Sequence, residues 1–337
     1  MTKLFFLGAT GHIGGAVVNA ILAQYPDVEL TALVRDQNKA QRLEQAFSRT
    51  RGVVGDLDDV DLIERESKAA GIVINTSPDQ LDGSPAAIRA ILRGLAARTE
   101  RGFYIQTSGA FLVGEEGSGD RASGEVWNDV LDIDRITTMP PDRYHQRTDQ
   151  LLRDGSSNAN IAIVSPTVVY GLSASTENQI PITIRDIIAT TRKLSAGFTM
   201  SRGRNIMGYV HVNDLADVYV KLVKDAMEGS KSESRLWGSH AYYFANGEEI
   251  SFAGYMEALV KILRAKGAIP SDSIKEIGTE SDAAEREIVN ETAVFHGYGT
   301  NVRCRSERAA TLLGWKPKGP SLRDTLPEVV DLVLSRK

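Results

Sequence analysis

Along the first third of the chain, short apolar runs alternate with segments whose apolar residues recur at helical spacing. "KLFFLGA" (3–9) is a continuous apolar run of the kind that suits a strand buried on both faces of a parallel sheet. In "GGAVVNAILAQY" (14–25), Val17, Ile21 and Tyr25 share one helical face, and Pro26 stops the helix. The runs "ELTALVR" (29–35), "RGVVGDL" (51–57), "GIVINTS" (71–77) and "GFYIQTSG" (102–109) predict four more strands. Helices are predicted between them over "NKAQRLEQAF" (38–47), with Ala40, Leu43 and Phe47 inward, "DLIERESKAA" (61–70) and "AAIRAILRGLAAR" (86–98). Strict strand–helix alternation with short connections predicts an α/β fold, a Rossmann-type doubly wound parallel sheet with helices on both faces.

Residues 114–141 break this rhythm. "GEEGSGDRASGE" is polar and glycine-rich, and "MPP" closes the insertion. Long loops in compact domains are commonly lids, binding loops or mobile segments. A helix is predicted over 142–154, a strand over 160–166, a helix over 214–227 and a strand over 241–245 that returns to the sheet. "FAGYMEALVKILRAKG" (252–267) is the clearest helix of the remainder. This places a dinucleotide-binding domain at 1–170 and 207–246, and a smaller, mainly helical substrate-side domain at 171–206 and 247–337. No internal repeat of 20–50 residues is visible.

Composition changes this picture little. The 337 residues are 42% hydrophobic and 25% charged, ordinary for a soluble globular protein. The single cysteine, Cys304, excludes an intramolecular disulfide and a cysteine metal cluster. A net charge of −5 with no basic run argues against direct nucleic-acid binding. No apolar stretch reaches membrane-spanning length, and "MTKLFFLGA" is too short for a signal peptide core. A cytoplasmic protein without a membrane partner is the expectation. No His/Cys/Asp/Glu cluster has metal-ligand spacing, so no metal is expected.

The candidate chemistry starts in "FLGATGHIGG" (6–15), which follows a strand and opens a helix. Gly8 lets the chain turn, Gly11 removes a side chain where backbone must approach a diphosphate, and Gly14 lets the helix sit close to the sheet. Thr10, His12 and Ile13 complete the loop, and its N–H groups and helix dipole favour an anion. A tight strand-to-helix turn is the alternative reading. An NAD site needs a carboxylate at the end of the second strand, but the sequence there is "LVRDQNK", with Arg35 at the tip and Lys39 one turn on. A guanidinium can grip a 2′-phosphate, so NADP(H) is favoured, with NAD(H) possible through Asp36. Asp56 and Leu57, after the third strand, are placed beside the adenine. Asn75 and Thr76, ending the fourth, are placed beside the pyrophosphate and ribose.

Together these segments resemble the extended and atypical short-chain dehydrogenase/reductase superfamily. "GATGHIGG" resembles its dinucleotide loop, "GDLDD" its adenine loop and "YIQTSGAFLVG" the segment carrying its active-site serine. "VSPTVVYG" is similar to a motif lining the nicotinamide, which brings in Pro166 and Val168. "YVHVNDLADVYV" and "RAATLLGWKPKGPSLRDTL" are similar to its later signatures. Within the superfamily, the chain resembles fungal nucleoside-diphosphate-sugar epimerase-like and NmrA-like proteins. The resemblance implies a hydroxyl that polarises the substrate oxygen, here Ser108 with Thr107 as its rival. It also implies a tyrosine, here Tyr144, with a lysine four residues on; Thr148 stands there instead. Threonine supplies no charge to lower the tyrosine's pKa. His145 is the other candidate for proton transfer, spaced to pair with Asp149.

His211 and Asp214 read as structural, with Asp214 capping the helix that follows. Arg303 and Arg305 are placed near the expected substrate cleft, or in solvent. Three functions fit: an oxidoreductase acting on a small carbonyl or hydroxyl compound, a dinucleotide sensor without turnover, and an epimerase or isomerase. The partner implied is a small-molecule substrate, and a homodimer is possible.

Overall fold

The computed structural model describes residues 2–78, 84–115, 117, 119–229, 233–278, 281, 283–290 and 298–336. Glu116 and Ser118 of the glycine-rich stretch lie outside them. The chain begins as predicted, with β1 (Lys3–Leu7), α1 (His12–Gln24), β2 (Glu29–Val34), α2 (Gln37–Ala46), β3 (Thr50–Val54), α3 (Val60–Ala69), β4 (Ile72–Asn75), α4 (Ser84–Ala96) and β5 (Phe103–Thr107). Then follow β6 (Trp127–Asn128), α5 (Ile133–Thr137), α6 (Gln146–Asp154), β7 (Asn160–Pro166) and β8 (Val168–Tyr170). The later part holds α7 (Ile182–Leu194), β9 (Gly197–Met200), β10 (Ile206–His211), α8 (Val212–Met227), β11 (Tyr242–Ala245) and β12 (Glu248–Ser251). It closes with α9 (Phe252–Ala265), β13 (Ile274–Ile277), α10 (Ala283–Asn290), β14 (Cys304–Arg305), α11 (Glu307–Leu313) and α12 (Leu322–Ser335).

Seven strands form one sheet in the order β11-β7-β5-β4-β1-β2-β3, parallel at every pairing. The order reverses between β1 and β4, so the glycine loop after β1 opens at the switch point where such sheets bind ligands. The inner parallel strands are mostly apolar because both faces are covered, whereas the edge strand β3, TRGVV, is partly exposed. On one face Val17, Ile21, Leu43, Leu215, Tyr219 and Leu222 pack under α1, α2 and α8. On the other, Ile63, Ile88, Ile91, Leu95 and Leu152 pack under α3, α4 and α6. A third core joins α7, α9 and α12 around Phe198, Tyr209, Phe252, Met256 and Leu326. An apolar cavity of about 30 Å³ lies inside that third core, lined by Tyr170, Met207, Tyr209, Phe252 and Tyr255.

The second part is mainly helical, with α7, α9, α10, α11 and α12, and it also holds short strands that the sequence pattern did not predict. Residues 168–170 and 206–211 pair in a three-stranded sheet with 248–251, and β9 pairs with β13. These strands are only three to six residues long, and short apolar runs of that kind do not declare their type by periodicity. The insertion at 114–141 is also built into the fold. β6 pairs with β14, Glu115 bridges Asn301, and the Arg135 guanidinium lies 4.1 Å over the Trp127 ring. Buried Asp129 accepts hydrogen bonds from Phe244 N (2.8 Å) and Arg308 N (2.9 Å), covering the open edge of β11.

Asp214 is not the cap of α8. His211 caps it, accepting from Asn213 N through Nδ1 at 3.2 Å. Asp214 sits in the first turn, where its carboxylate accepts from Lys318 N (2.9 Å) and Gly319 N (2.9 Å). Its carbonyl accepts from Trp315 Nε1 at 2.8 Å, so the "LGWKPKG" stretch is pinned to α8. Arg303 is tied to Glu249 at 2.8 Å and to Ser123 O at 2.8 Å, while Arg305 is exposed. Among the described residues no helix is long and apolar enough to cross a membrane.

Candidate active site

The loop between β1 and α1 is shaped by its glycines. Gly8 has φ +85°, a left-handed value that disfavours side chains, and a Cβ there would lie 2.6 Å from Thr76 Oγ1. A Cβ on Gly14 would lie 2.1 Å from Gly8 O, so only glycine lets α1 start this close to the strand end. Gly11 differs. It is the N-cap of α1 in an ordinary extended conformation, its N–H donating to Gly8 O at 2.9 Å, and a Cβ would meet only Gly8 O at 3.2 Å. The fold alone tolerates a side chain at Gly11; a ligand against the loop would not. The first-turn N–H groups at His12, Ile13 and Gly14 have no intrahelical acceptor, which leaves donors and the positive end of the helix facing the switch point. This is a cradle that fits a diphosphate.

The flanking residues predicted beside it come together at the same edge. Thr76 Oγ1 donates to Leu7 O and Gly8 O, both at 3.3 Å, bracing the loop. Asn75 is buried, accepting from Ser77 N at 2.9 Å and donating to Tyr104 OH at 3.4 Å. Asp56 is exposed and accepts from Asp58 N at 2.9 Å, while Leu57 packs on the core under α3 and α4. Pro166 ends β7 beside Ala245, and Val168 opens β8 beside Tyr209. Arg35 is exposed at the tip of β2. Asp36 is engaged: it caps α2 by accepting from Lys39 N (2.9 Å) and pairs with Lys39 Nζ (3.2 Å).

At the end of β5 the expected catalytic geometry is redrawn. Thr107 Oγ1 shares a hydrogen bond of 2.6 Å with Tyr219 OH on α8. Ser108 is buried and donates to Asp149 Oδ2 at 2.9 Å, so its proton is directed at a carboxylate. Asp149 is fully buried, and its charge, after burial itself, pushes the nearby Tyr242 phenol well above its ordinary range. Tyr242 OH in turn donates to Ser165 Oγ at 2.9 Å. This buried polar network was not read from the sequence, since nothing local marks Asp149 or Tyr242 as neighbours of Ser108.

The helix expected from residue 142 starts at Gln146 instead. His145 has φ +69°, outside the right-handed helical region, so a helix cannot run through 142–145 into α6. Tyr144 and Thr148 are therefore not one helical turn apart. Tyr144 is half exposed, edge-on to Phe111 at 6.3 Å. Thr148 is buried and donates to His145 O at 2.7 Å. The expected spacing of His145 and Asp149 survives as a backbone bond, Asp149 N to His145 O, 2.9 Å. The His145 ring itself stands over Gly109: a Cβ at Gly109 would lie 2.5 Å from His145 Nε2. An imidazole thus occupies the side-chain position that the residue after Ser108 leaves empty.

His12 faces away from this point. Its Nε2 lies 2.9 Å from Gly171 O, and burial, with His211 adding to it, holds its pKa down at about 4 against the pull of that carbonyl. It is neutral at physiological pH. Among the described residues no group of three or more His, Cys, Asp or Glu could hold a metal ion.

A glycine loop at the switch point of a parallel sheet ordered β3-β2-β1-β4-β5-β7-β11 defines a Rossmann-type dinucleotide-binding fold. The chain belongs to the NAD(P)H-binding family, whose model it matches over residues 8–226. An oxidase, ucsJ, from Acremonium sp is 30% identical over 343 residues, 97% of this chain and 96% of that protein. Solved structures share the fold at low identity. UDP-glucuronic acid 4-epimerase from Bacillus cereus, in complex with UDP-glucuronic acid and NAD, superposes with a TM-score of 0.68 at 16% identity, covering 100% of both chains. dTDP-glucose 4,6-dehydratase from Bacillus anthracis, in complex with NAD, gives 0.67 at 14%, covering 100% of this chain and 98% of that one.

Proposed function

We propose that this chain is an oxidoreductase that prefers NADP(H) to NAD(H) and acts on a small carbonyl or hydroxyl compound. The observation that carries the coenzyme preference is the end of β2, where Arg35 stands exposed while the carboxylate next to it in sequence, Asp36, is spent on capping α2 and on Lys39. Gly8, Gly11 and Gly14 with the first-turn N–H groups would hold the diphosphate, and Asp56, Leu57, Asn75, Thr76, Pro166 and Val168 would line the rest of the groove. The coenzyme, when bound, supplies or accepts hydride.

The chain's own residues then handle the proton. His145, half-buried against Gly109, is the group best placed to exchange a proton with a substrate oxygen at the end of β5. Ser108 and Asp149 set the backbone and polarity behind it, and exposed Tyr144 closes the outer side. Thr148 favours a second reading, a dinucleotide sensor without turnover, because the usual cation beneath the tyrosine is missing. The fold neighbours keep an epimerase or isomerase in view. Titration with NADPH, followed by a panel of aldehydes, ketones and enones, separates the three. Oxidation of NADPH supports the reductase, binding without turnover the sensor, and conversion without net NADPH loss the isomerase.

Arg35→Ala is expected to weaken NADPH binding about tenfold or more, the scale of a lost charge-assisted pair, and to change NADH binding by less than about twofold. Dissociation constants measured by nucleotide fluorescence decide it. Equal weakening of both would refute the 2′-phosphate assignment.

A further inference from the structure

Residues 171–179, "GLSASTENQ", join β8 to α7 and lie across the outside of the glycine loop. The contact is extensive. Ser173 Oγ donates to His12 O at 2.6 Å; Ser175 Oγ and Asn178 Nδ2 donate to Thr10 O at 3.0 and 2.9 Å. His12 Nε2 meets Gly171 O at 2.9 Å. A Cβ on Gly15 would lie 2.3 Å from Ser175 Cβ, so the fourth glycine of the motif makes room for this segment. Inside the strap, the buried Ser175 hydroxyl accepts from Glu177 N (3.2 Å) and Asn178 N (3.1 Å), fixing its turn. Every polar contact to the loop backbone is made to a carbonyl oxygen. The strap braces the loop and leaves its N–H groups to a ligand.

The strap ends in an ion pair on the adenosine side of the groove. Glu177 takes Arg42 of α2 in a two-pronged pair, Nε to Oε1 and Nη2 to Oε2, the latter 3.0 Å. Arg42 is one helical turn beyond Lys39, and within reach of the field of Asp36. Arg35, Lys39 and Arg42 thus form a cationic row at the end of β2 and along α2, and Asp36 and Glu177 offset two of those three charges. A bidentate pair on a guanidinium is the same geometry that a phosphate would take.

We propose that Glu177 is a coenzyme-specificity residue: it competes with the 2′-phosphate of NADP(H) for Arg42. The proposal rests on the dinucleotide reading of the groove above. NADP(H) draws Arg42 off Glu177 and loosens the strap at that end, whereas NAD(H) leaves the pair closed. Glu177 therefore taxes NADP(H) alone, and the preference set by Arg35 is smaller than the cation row would give without it.

The test compares NADPH with NADH, and adenosine 2′,5′-bisphosphate with AMP, on the full chain. Glu177→Gln keeps the strap's size and is expected to tighten NADPH and the bisphosphate about threefold or more, the scale of one partly exposed ion pair released, with NADH and AMP unchanged. Arg42→Gln is expected to weaken NADPH and the bisphosphate only. In the wild type, amide exchange over 172–179 should be faster with NADPH than with NADH, and the difference should vanish in Glu177→Gln. Equal shifts for both coenzymes, or weaker NADPH binding by Glu177→Gln, would overturn the competition while leaving the dinucleotide site standing. Wild-type protein that binds none of the four ligands would overturn the dinucleotide reading and this inference together.

Discussion

Gly11→Val is expected to abolish dinucleotide binding, raising the dissociation constant by about 100-fold or more, while the protein still folds. Gly11 already has φ −72° and ψ 171°, which any residue adopts. Its new Cβ would touch only Gly8 O, at 3.2 Å, and a few tenths of an ångström of adjustment relieves that. The cost to stability is of order 1 kcal/mol. The two γ-methyl groups, however, would stand over the first-turn N–H groups, where a diphosphate needs bare backbone. Loss of several charge-assisted hydrogen bonds is worth about 3 kcal/mol or more, which is the 100-fold. Gly14→Ala supplies the contrast. Its Cβ would fall 2.1 Å from Gly8 O, so α1 must shift bodily, at about 3 kcal/mol. NADPH fluorescence titration and thermal unfolding on both variants separate a ligand role from a packing role. A Gly11→Val protein that binds NADPH like the wild type would remove the diphosphate cradle from the account.

The fold was legible because its signals are local and repeated. The first four strands of the seven-stranded sheet are each followed by a helix of clear period, and the boundaries fall within a few residues of those read from the sequence. Two parallel strands need a crossover between them, so alternation nearly forces the topology. The small strands β8, β9, β12 and β13 were not legible, since strands of three or four residues carry too little pattern. The insertion, polar and glycine-rich in sequence, was open to reading as a loose lid. Its anchors, Trp127, Asp129 and the pairing with Cys304–Arg305, bridge more than a hundred positions, and no local pattern announces such partners.

The site divides in the same way. Gly8 and Gly14 were readable because the backbone requires them, and the structure gives each a steric reason. Gly15 carried a signal that went unused: a second consecutive glycine on a helix costs stability unless something packs there, and Ser175 does. The proton-handling residues were read from a spacing that presumed a continuous helix. The prolines at 140–141 are compatible with a helix start, so nothing in the sequence announced the left-handed His145 that puts the start of α6 at Gln146. Asp149, the partner of Ser108, is 41 residues away in sequence and became visible only when β5 and α6 were placed side by side.

Asp129 should make stability fall as the pH rises from about 4 to about 7. Burial raises its pKa from the ordinary 3.8 to about 7, against the opposing pull of the Arg308 and Phe244 N–H groups. Between those values the folded chain holds a proton that the unfolded chain has released. The folded state then binds more protons, so unfolding free energy declines with pH and levels off above 7. Three pH units correspond to a decline of about 4 kcal/mol at most. Asp129→Asn stays neutral throughout and removes this slope. Its amide has one acceptor oxygen and turns N–H donors toward Phe244 N or Arg308 N, so the variant carries a pH-independent cost of about 1–3 kcal/mol relative to the wild type with a neutral carboxyl group. The wild type should therefore lose ground to the variant steadily from pH 5 upward, and the variant should match or overtake it by pH 8. Urea unfolding at pH 5, 6, 7 and 8 measures it. Parallel curves for the two proteins would mean that Asp129 is already charged in the folded chain at pH 5, its two N–H donors outweighing its burial.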